Sequence, residues 1–161
     1  MKPIRLLFDE CIGKPIMEQL AQAVQYSHED IEFKHLLDFQ SQGIPDSDWI
    51  PQKANEGWIL ISTDRGKKTG AGGAGHGKAL PMLCRRFGMT HVLLSAKVHA
   101  KKQFDKMRAI LDVWDDLVRV IDAEPGSQFL IRMGPKHAVL ERRNVPEPTP
   151  QGGHATETPS D

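Results

Sequence analysis

The chain has 161 residues, enough for one domain with a single sizeable core. Its 21 basic and 21 acidic residues cancel, so no global field marks a polyanionic partner. The two cysteines, Cys11 and Cys84, are too few for a disulfide framework or a thiolate zinc site. No apolar run is long enough to span a bilayer. The amino terminus lacks the basic-then-apolar design of a signal peptide, so a soluble, cytoplasmic protein without a membrane partner is expected.

Ile4 to Phe8 is an almost continuous apolar run, the pattern of a strand covered on both faces. Gly13 breaks the chain and Pro15 suits the first turn of a helix to about Val24, with Ile16, Leu20 and Ala23 at helical spacing. Ile31 to Leu37 alternates and predicts a second strand with one wetter face. Gly43-Ile44-Pro45 is a turn, and Asp46 or Ser47 can cap the next helix, which Pro51 makes short or bent. Gly57 ends it, and Trp58 to Ser62 is a third apolar strand.

Residues 66–78 are glycine-rich with no apolar side chain larger than Ala, which predicts a mobile loop. A helix over Ala79 to Phe87 stops at Gly88, and His91 to Leu94 gives a fourth strand. From Lys101 to Ile121, Phe104, Met107, Leu111, Trp114, Leu117, Val118 and Ile121 mark one helical face, predicting a single long helix. Phe129 to Met133 and Ala138 to Leu140 flank Gly134-Pro135-Lys136, a terminal hairpin. The domain is therefore expected over residues 1–143, with a disordered tail at 144–161 rich in Pro, Thr, Gly and Glu.

Alternating strands and helices argue for an α/β domain, a mainly parallel sheet with helices on both sides. Right-handed crossovers would set the first and third strands side by side, with Asp9 and Asp64 flanking the crevice at their carboxyl ends. Each acid has an ordinary role: Asp9 at a strand end, Glu10 in a loop, Asp46 as a helix cap, Asp48 in a first helical turn, Asp64 in a turn. Jointly they differ. Carboxylates gathered at one sheet edge repel unless a cation joins them, and Mg²⁺ or Mn²⁺ prefers such hard oxygens. The basic residues Arg65, Lys67, Lys68, Lys78, Arg85 and Arg86 follow directly.

Leu6-Leu7-Phe8-Asp9-Glu10, Gly43-Ile44-Pro45-Asp46-Ser47-Asp48-Trp49-Ile50 and Ile59-Leu60-Ile61-Ser62-Thr63-Asp64-Arg65 resemble the PIN-like nuclease family, particularly its small branch related to VapC-type toxins. Gly88 to Leu94 matches the strand that usually follows. The resemblance implies a three-layer α/β/α PIN-like domain acting as a metal-dependent endoribonuclease, commonly the toxin of a toxin–antitoxin pair. It implies Asp9, Asp46 and Asp64 as catalytic residues holding Mg²⁺ or Mn²⁺, with Glu10 or Asp48 as a further carboxylate. Thr63, Arg65, Lys67 and Lys68 would contact the RNA substrate, and hydrolysis would leave a 5′-phosphate and a 3′-hydroxyl. A cognate antitoxin protein is the implied partner, and the expected long helix and terminal hairpin offer an interface for a homodimer or for that antitoxin. One departure stands out: relatives often carry an acid about two residues beyond Asp64, where this chain has Arg65-Gly66-Lys67. That places a second metal in doubt and leaves open a one-metal or weakened enzyme; the main competing reading is a catalytically silent RNA- or protein-binding relative.

Two other patterns compete. Gly72 to Ala79 nearly spells a phosphate-binding loop, but Ala79 stands where the Mg²⁺-ligating hydroxyl belongs. A phosphoacceptor domain would use Asp9-Glu10, Asp64, Ser95 and Lys97, yet gives Asp46-Ser47-Asp48 no role. His35 and His91 fall on predicted strands, where hydrogen-bonded structural roles are expected. Trp49, Trp58 and Trp114 are expected to pack in the core, and sparse aromatics give no base-stacking platform.

Overall fold

The computed structural model of the protein describes residues 2–27, 30–63 and 76–144. Its elements run β1 (Ile4–Phe8), α1 (Lys14–Ala23), β2 (Ile31–His35), α2 (Asp46–Asn55), β3 (Trp58–Thr63), α3 (His76–Phe87), β4 (His91–Leu94), α4 (Ala96–His99), α5 (Gln103–Asp112), α6 (Trp114–Arg119), β5 (Gln128–Met133) and β6 (Ala138–Arg143). Six strands form one sheet in the order β2-β1-β3-β4-β5-β6. All pairings are parallel except the closing β5–β6 hairpin. This is the expected α/β architecture. β1 and β3 are neighbours as predicted, in the register Phe8 opposite Ile61.

Strand alternation divides the apolar residues between two cores. Leu6, Phe8, Ile59, Ile61, Val92, Leu94 and Ile131 pack with α1, α5 and α6 through Ile16, Leu20, Ile110 and Leu117. Leu7 and Leu60 pack on the opposite face with Trp49, Ile50, Cys84 and Met89 of α2, α3 and the turn beyond. Helices thus cover both faces, giving three layers. Full burial of a Leu, Ile or Phe side chain is worth about 1.5–3 kcal/mol, so these positions anchor the sheet. Gly57, Gly88 and Gly126 adopt positive φ at turns where other residues would be strained.

Several boundaries depart from the sequence pattern. The second strand ends at His35, and Leu36–Asp38 turns as a 3₁₀ segment closed by a reciprocal cap between His35 and Asp38. α2 runs through Pro51, and Pro45 occupies its N-cap without a side-chain bond, so Asp46 enters as the first helical residue and neither Asp46 nor Ser47 caps. The single long helix expected over residues 101–121 is three pieces. Val113, at φ −105° and ψ 13°, ends α5 and begins α6, and a 3₁₀ turn over Val120–Asp122 follows. α3 begins at His76, earlier than expected. The remainder of the glycine-rich segment, and the tail from residue 145 onward, lie outside the described residues. Among the described residues no helix is long and apolar enough to cross a membrane.

Candidate active site

The carboxyl ends of β1, β3 and β4 share one edge because the three strands run parallel. Asp9 follows Phe8 directly, and its N–H donates to the Ile61 carbonyl at 2.9 Å, extending the β1–β3 pairing by one bond. The chain then turns sharply, with the Ile12 N–H donating to the Asp9 carbonyl at 2.9 Å. The Asp9 carboxylate accepts from the Glu10 backbone N–H at 2.8 Å and from the Cys11 thiol at 3.1 Å. Two bonds leave a carboxylate half of its accepting capacity.

Glu10 reaches across to the loop before α2, where its Oε1 accepts from the Gly43 N–H at 3.3 Å. This bond ties the β1–α1 turn to the segment that delivers Asp46. Both Asp9 and Asp46 act on one buried thiol. Cys84 is 1% exposed, and burial first, then the charges of Asp46 and Asp9, push its pKa up. Asp48 is exposed in the first turn of α2.

Thr63 closes β3 at 5% exposure, and its Oγ1 is buried without a hydrogen-bond partner. The Cys11 sulfur lies between Asp9 and Thr63. Burial first and then the Asp9 charge raise its pKa to about 11, against the weaker opposing pull of the Thr63 hydroxyl and N–H on a thiolate. At neutral pH Cys11 is therefore a thiol that donates to Asp9, and it leaves the Thr63 hydroxyl unbonded. Cysteine spacing gave no hint of this contact, which depends on the tight turn over residues 9–12.

Asp64, Arg65, Lys67 and Lys68 lie outside the described residues, as does most of the near phosphate-binding loop. Among the described residues, no grouping of three His, Cys, Asp or Glu side chains forms a metal site. Asp9 supplies hard oxygen donors at the strand edge that also carries the unbonded, buried Thr63 hydroxyl. This donor set fits Mg²⁺ or Mn²⁺, which commonly take one or two carboxylates and complete their shell with water and substrate oxygens.

The buried histidines serve the scaffold, as expected. His35 Nδ1 accepts from the Leu37 N–H at 3.2 Å, and Nε2 donates to the Ile12 carbonyl at 2.6 Å, bracing the turn behind Asp9. His91 lies 2.6 Å from the Ser62 hydroxyl through Nε2 and 3.2 Å from the Gln128 amide through Nδ1. Burial first, then Arg143, lowers its pKa to about 3. A ring held neutral and sealed at 1% exposure cannot meet a substrate. Ser95, the phosphoacceptor-type switch candidate, spends its hydroxyl capping α4 through the Val98 N–H. At the opposite, amino edge of the sheet, a pocket of about 530 Å³ is lined by Arg5, Glu56 and Trp58 among others. Its acid, Glu56, is bonded to Lys53 and Trp58, so that pocket lacks the chemistry of the carboxyl edge.

The molecule is thus an α/β domain that sets Asp9 at the carboxyl edge of a parallel sheet. A family model described as PIN like domain matches residues 4–71, the stretch carrying Asp9, Asp46 and Asp64, and supports a PIN-like domain. This family is generally one of nucleases. No curated protein and no solved structure matches the chain.

Proposed function

We propose that the protein is a metal-dependent endoribonuclease that hydrolyses RNA phosphodiester bonds, and that it is the toxin component of a toxin–antitoxin pair. The observation that carries the reading is that Asp9 and the buried, unbonded Thr63 hydroxyl stand at the carboxyl ends of the neighbouring strands β1 and β3, with the Cys11 sulfur in contact with both residues. The PIN-like match over residues 4–71 supports it.

Asp9 and Asp46, with Asp64, would hold Mg²⁺ or Mn²⁺. The bound cation would supply Lewis acidity toward a phosphodiester and offset the charge that develops in phosphoryl transfer. Asp9 is kept in place by the Glu10 N–H and the Cys11 thiol. Glu10 orients the loop before α2, and Thr63 offers its hydroxyl to a water or phosphate oxygen. Arg65, Lys67 and Lys68 are proposed to contact RNA phosphates, which position a strand without reading its sequence. Asp48 is a reserve carboxylate. The family resemblance alone supports a cognate antitoxin, and the α5–α6 and β5–β6 elements are proposed to carry its interface or that of a homodimer.

The test is RNA cleavage by the purified full chain with Mg²⁺, with Mn²⁺ and with EDTA, beside Asp9→Asn, Asp46→Asn and Asp64→Asn. Cleavage that needs metal and falls at least about a hundredfold in each variant supports the reading. Growth arrest on expression of wild type but not of Asp9→Asn supports the toxin assignment. A second reading, a silent RNA- or protein-binding relative, is favoured by Arg65-Gly66-Lys67, which lacks the acid that relatives often carry. An inactive wild type that binds neither metal would establish it.

A further inference from the structure

The α4–α5 corner carries a second concentration of chemistry. Phe104 stands in the first turn of α5 at 66% exposure and takes no part in either core. The helical spacing that assigned it to the buried face is wrong at this end, because Gln103, Phe104 and Asp105 are all exposed and the burial of α5 begins later, at Ala109 and Ile110. Exposing a ring of this size forfeits about 1.5–3 kcal/mol of burial free energy.

The surroundings of that ring are cationic. Lys97, Lys101, Lys102, Lys106 and Arg108 face the single acid Asp105 across residues 97–108. None of these five cations forms an ion pair among the described residues. Arg108 lies one turn beyond Phe104 on the same helical face. Lys106 Nζ donates to His99 Nδ1 at 3.3 Å, drawing the first turn of α5 onto α4. α4 starts directly after β4, so this corner sits at the sheet edge that carries Asp9. On a chain of zero net charge, this local excess creates a positive field that favours an anionic ligand.

We propose that this corner docks single-stranded RNA, with an unpaired base stacked on Phe104 and phosphates on Lys101, Lys102, Lys106 and Arg108. An exposed aromatic on a segment rich in cations is the platform that single strands use, since every base offers a π-face while the backbone meets the charges. A duplex keeps its bases stacked internally and gains little from the ring. A bilayer would need a broad apolar face, and the apolar side of α5 is spent on the core. That the RNA is also substrate rests on the nuclease reading; the docking surface does not need it.

The experiment is fluorescence anisotropy with the full chain and a labelled single-stranded RNA of about 12 nucleotides, in EDTA so that metal-dependent cleavage plays no part. A hairpin duplex and phosphatidylserine vesicles are the comparison probes. Phe104→Ala, at an exposed site, is expected to weaken single-strand binding about tenfold, within the range of one base stack, and Phe104→Trp to retain it. Phe104→Ala should leave the salt dependence unchanged. Lys101→Ala/Lys102→Ala should flatten the slope of log K against log salt by about 0.7 for each phosphate that is no longer neutralised. Wild-type binding by Phe104→Ala, equal affinity for duplex, or Phe104-dependent capture by vesicles without RNA binding would each overturn the proposal. Binding in EDTA without cleavage in Mg²⁺ would uphold the surface and sink the nuclease reading; cleavage in Mg²⁺ with binding in EDTA that is indifferent to Phe104 would do the reverse.

Discussion

The Cys11 thiol donates to the Asp9 carboxylate at 3.1 Å, and that bond couples the state of a cysteine to the acid at the heart of the candidate site. With its pKa raised to about 11 by burial and by Asp9, Cys11 carries about a hundredfold less thiolate at pH 8 than a thiol of ordinary pKa 9.0. Because the thiolate is the nucleophile, iodoacetamide should label Cys11 about a hundredfold more slowly than a free thiol, as followed by peptide mapping. In Asp9→Asn the second cause of the shift is gone, so labelling should quicken while burial still holds it below the free rate. Rapid labelling of wild type at pH 8 would show that the thiol does not sit as described.

The unbonded Thr63 hydroxyl leads to an opposite pair of effects on stability and function. A buried polar group without a partner costs about 1–3 kcal/mol, so Thr63→Val, which keeps the shape and removes the hydroxyl, should raise stability by roughly 1 kcal/mol. The same variant should lower metal-dependent cleavage or metal affinity. Urea unfolding without metal and Mn²⁺ titration separate the two effects. A loss of stability would mean that the hydroxyl has a partner in the protein.

His91 makes the fold sensitive to mild acid. Its pKa in the folded chain is lowered to about 3 from an ordinary 6.5, so the unfolded chain takes up a proton that the native state refuses. The stability it supports is complete above pH 6.5 and is lost as pH falls toward 3, at up to about 1.4 kcal/mol per unit. Asp38 and Glu56, held below the carboxylate range by Lys14 and Lys53 respectively, lose their contributions only at lower pH. Between about pH 6.5 and 4.5 the loss should reach on the order of 2 kcal/mol. His91→Gln, which can still bond Ser62 and Gln128, should flatten that slope in urea denaturation monitored by circular dichroism. An equally steep variant would assign the slope elsewhere.

What the sequence revealed followed where burial was symmetric. β1 and β3 were legible because apolar residues cover both their faces, and alternation with helices implied their adjacency. The strand-end position of Asp9 was legible, since it simply follows an apolar run. The split at Val113 was hidden because Met107, Leu111, Trp114 and Leu117 keep helical spacing across it. Phe104 misled for a related reason: periodicity identifies an apolar face but not where the packing partner begins. Cys11 was invisible because its contact to Asp9 arises from a turn, and Asp46 lost its expected capping role to a helix that starts one residue earlier. The 530 Å³ pocket at the amino edge had no sequence signal either, being formed by element ends that are distant along the chain.

Gly126 holds the approach to β5 through a backbone geometry that only glycine accepts without strain. Its φ is +86°, and a Cβ there would stand 3.1 Å from the Arg85 carbonyl oxygen near the end of α3. The left-handed conformation alone costs an L-residue roughly 1–2 kcal/mol, and the carbonyl contact adds to that. Just beyond it, the Ser127 carbonyl accepts from the His91 N–H at 3.0 Å, and the Gln128 side chain bonds His91. Gly126→Ala should therefore lower stability by about 2 kcal/mol and disturb the β4–β5 seam, seen as faster amide exchange at His91. Phe104 and the Asp9 turn lie at the other edge of the sheet, so RNA binding by the folded fraction should be unchanged. An unaltered unfolding midpoint would show that this turn relaxes freely and that α3 does not constrain it.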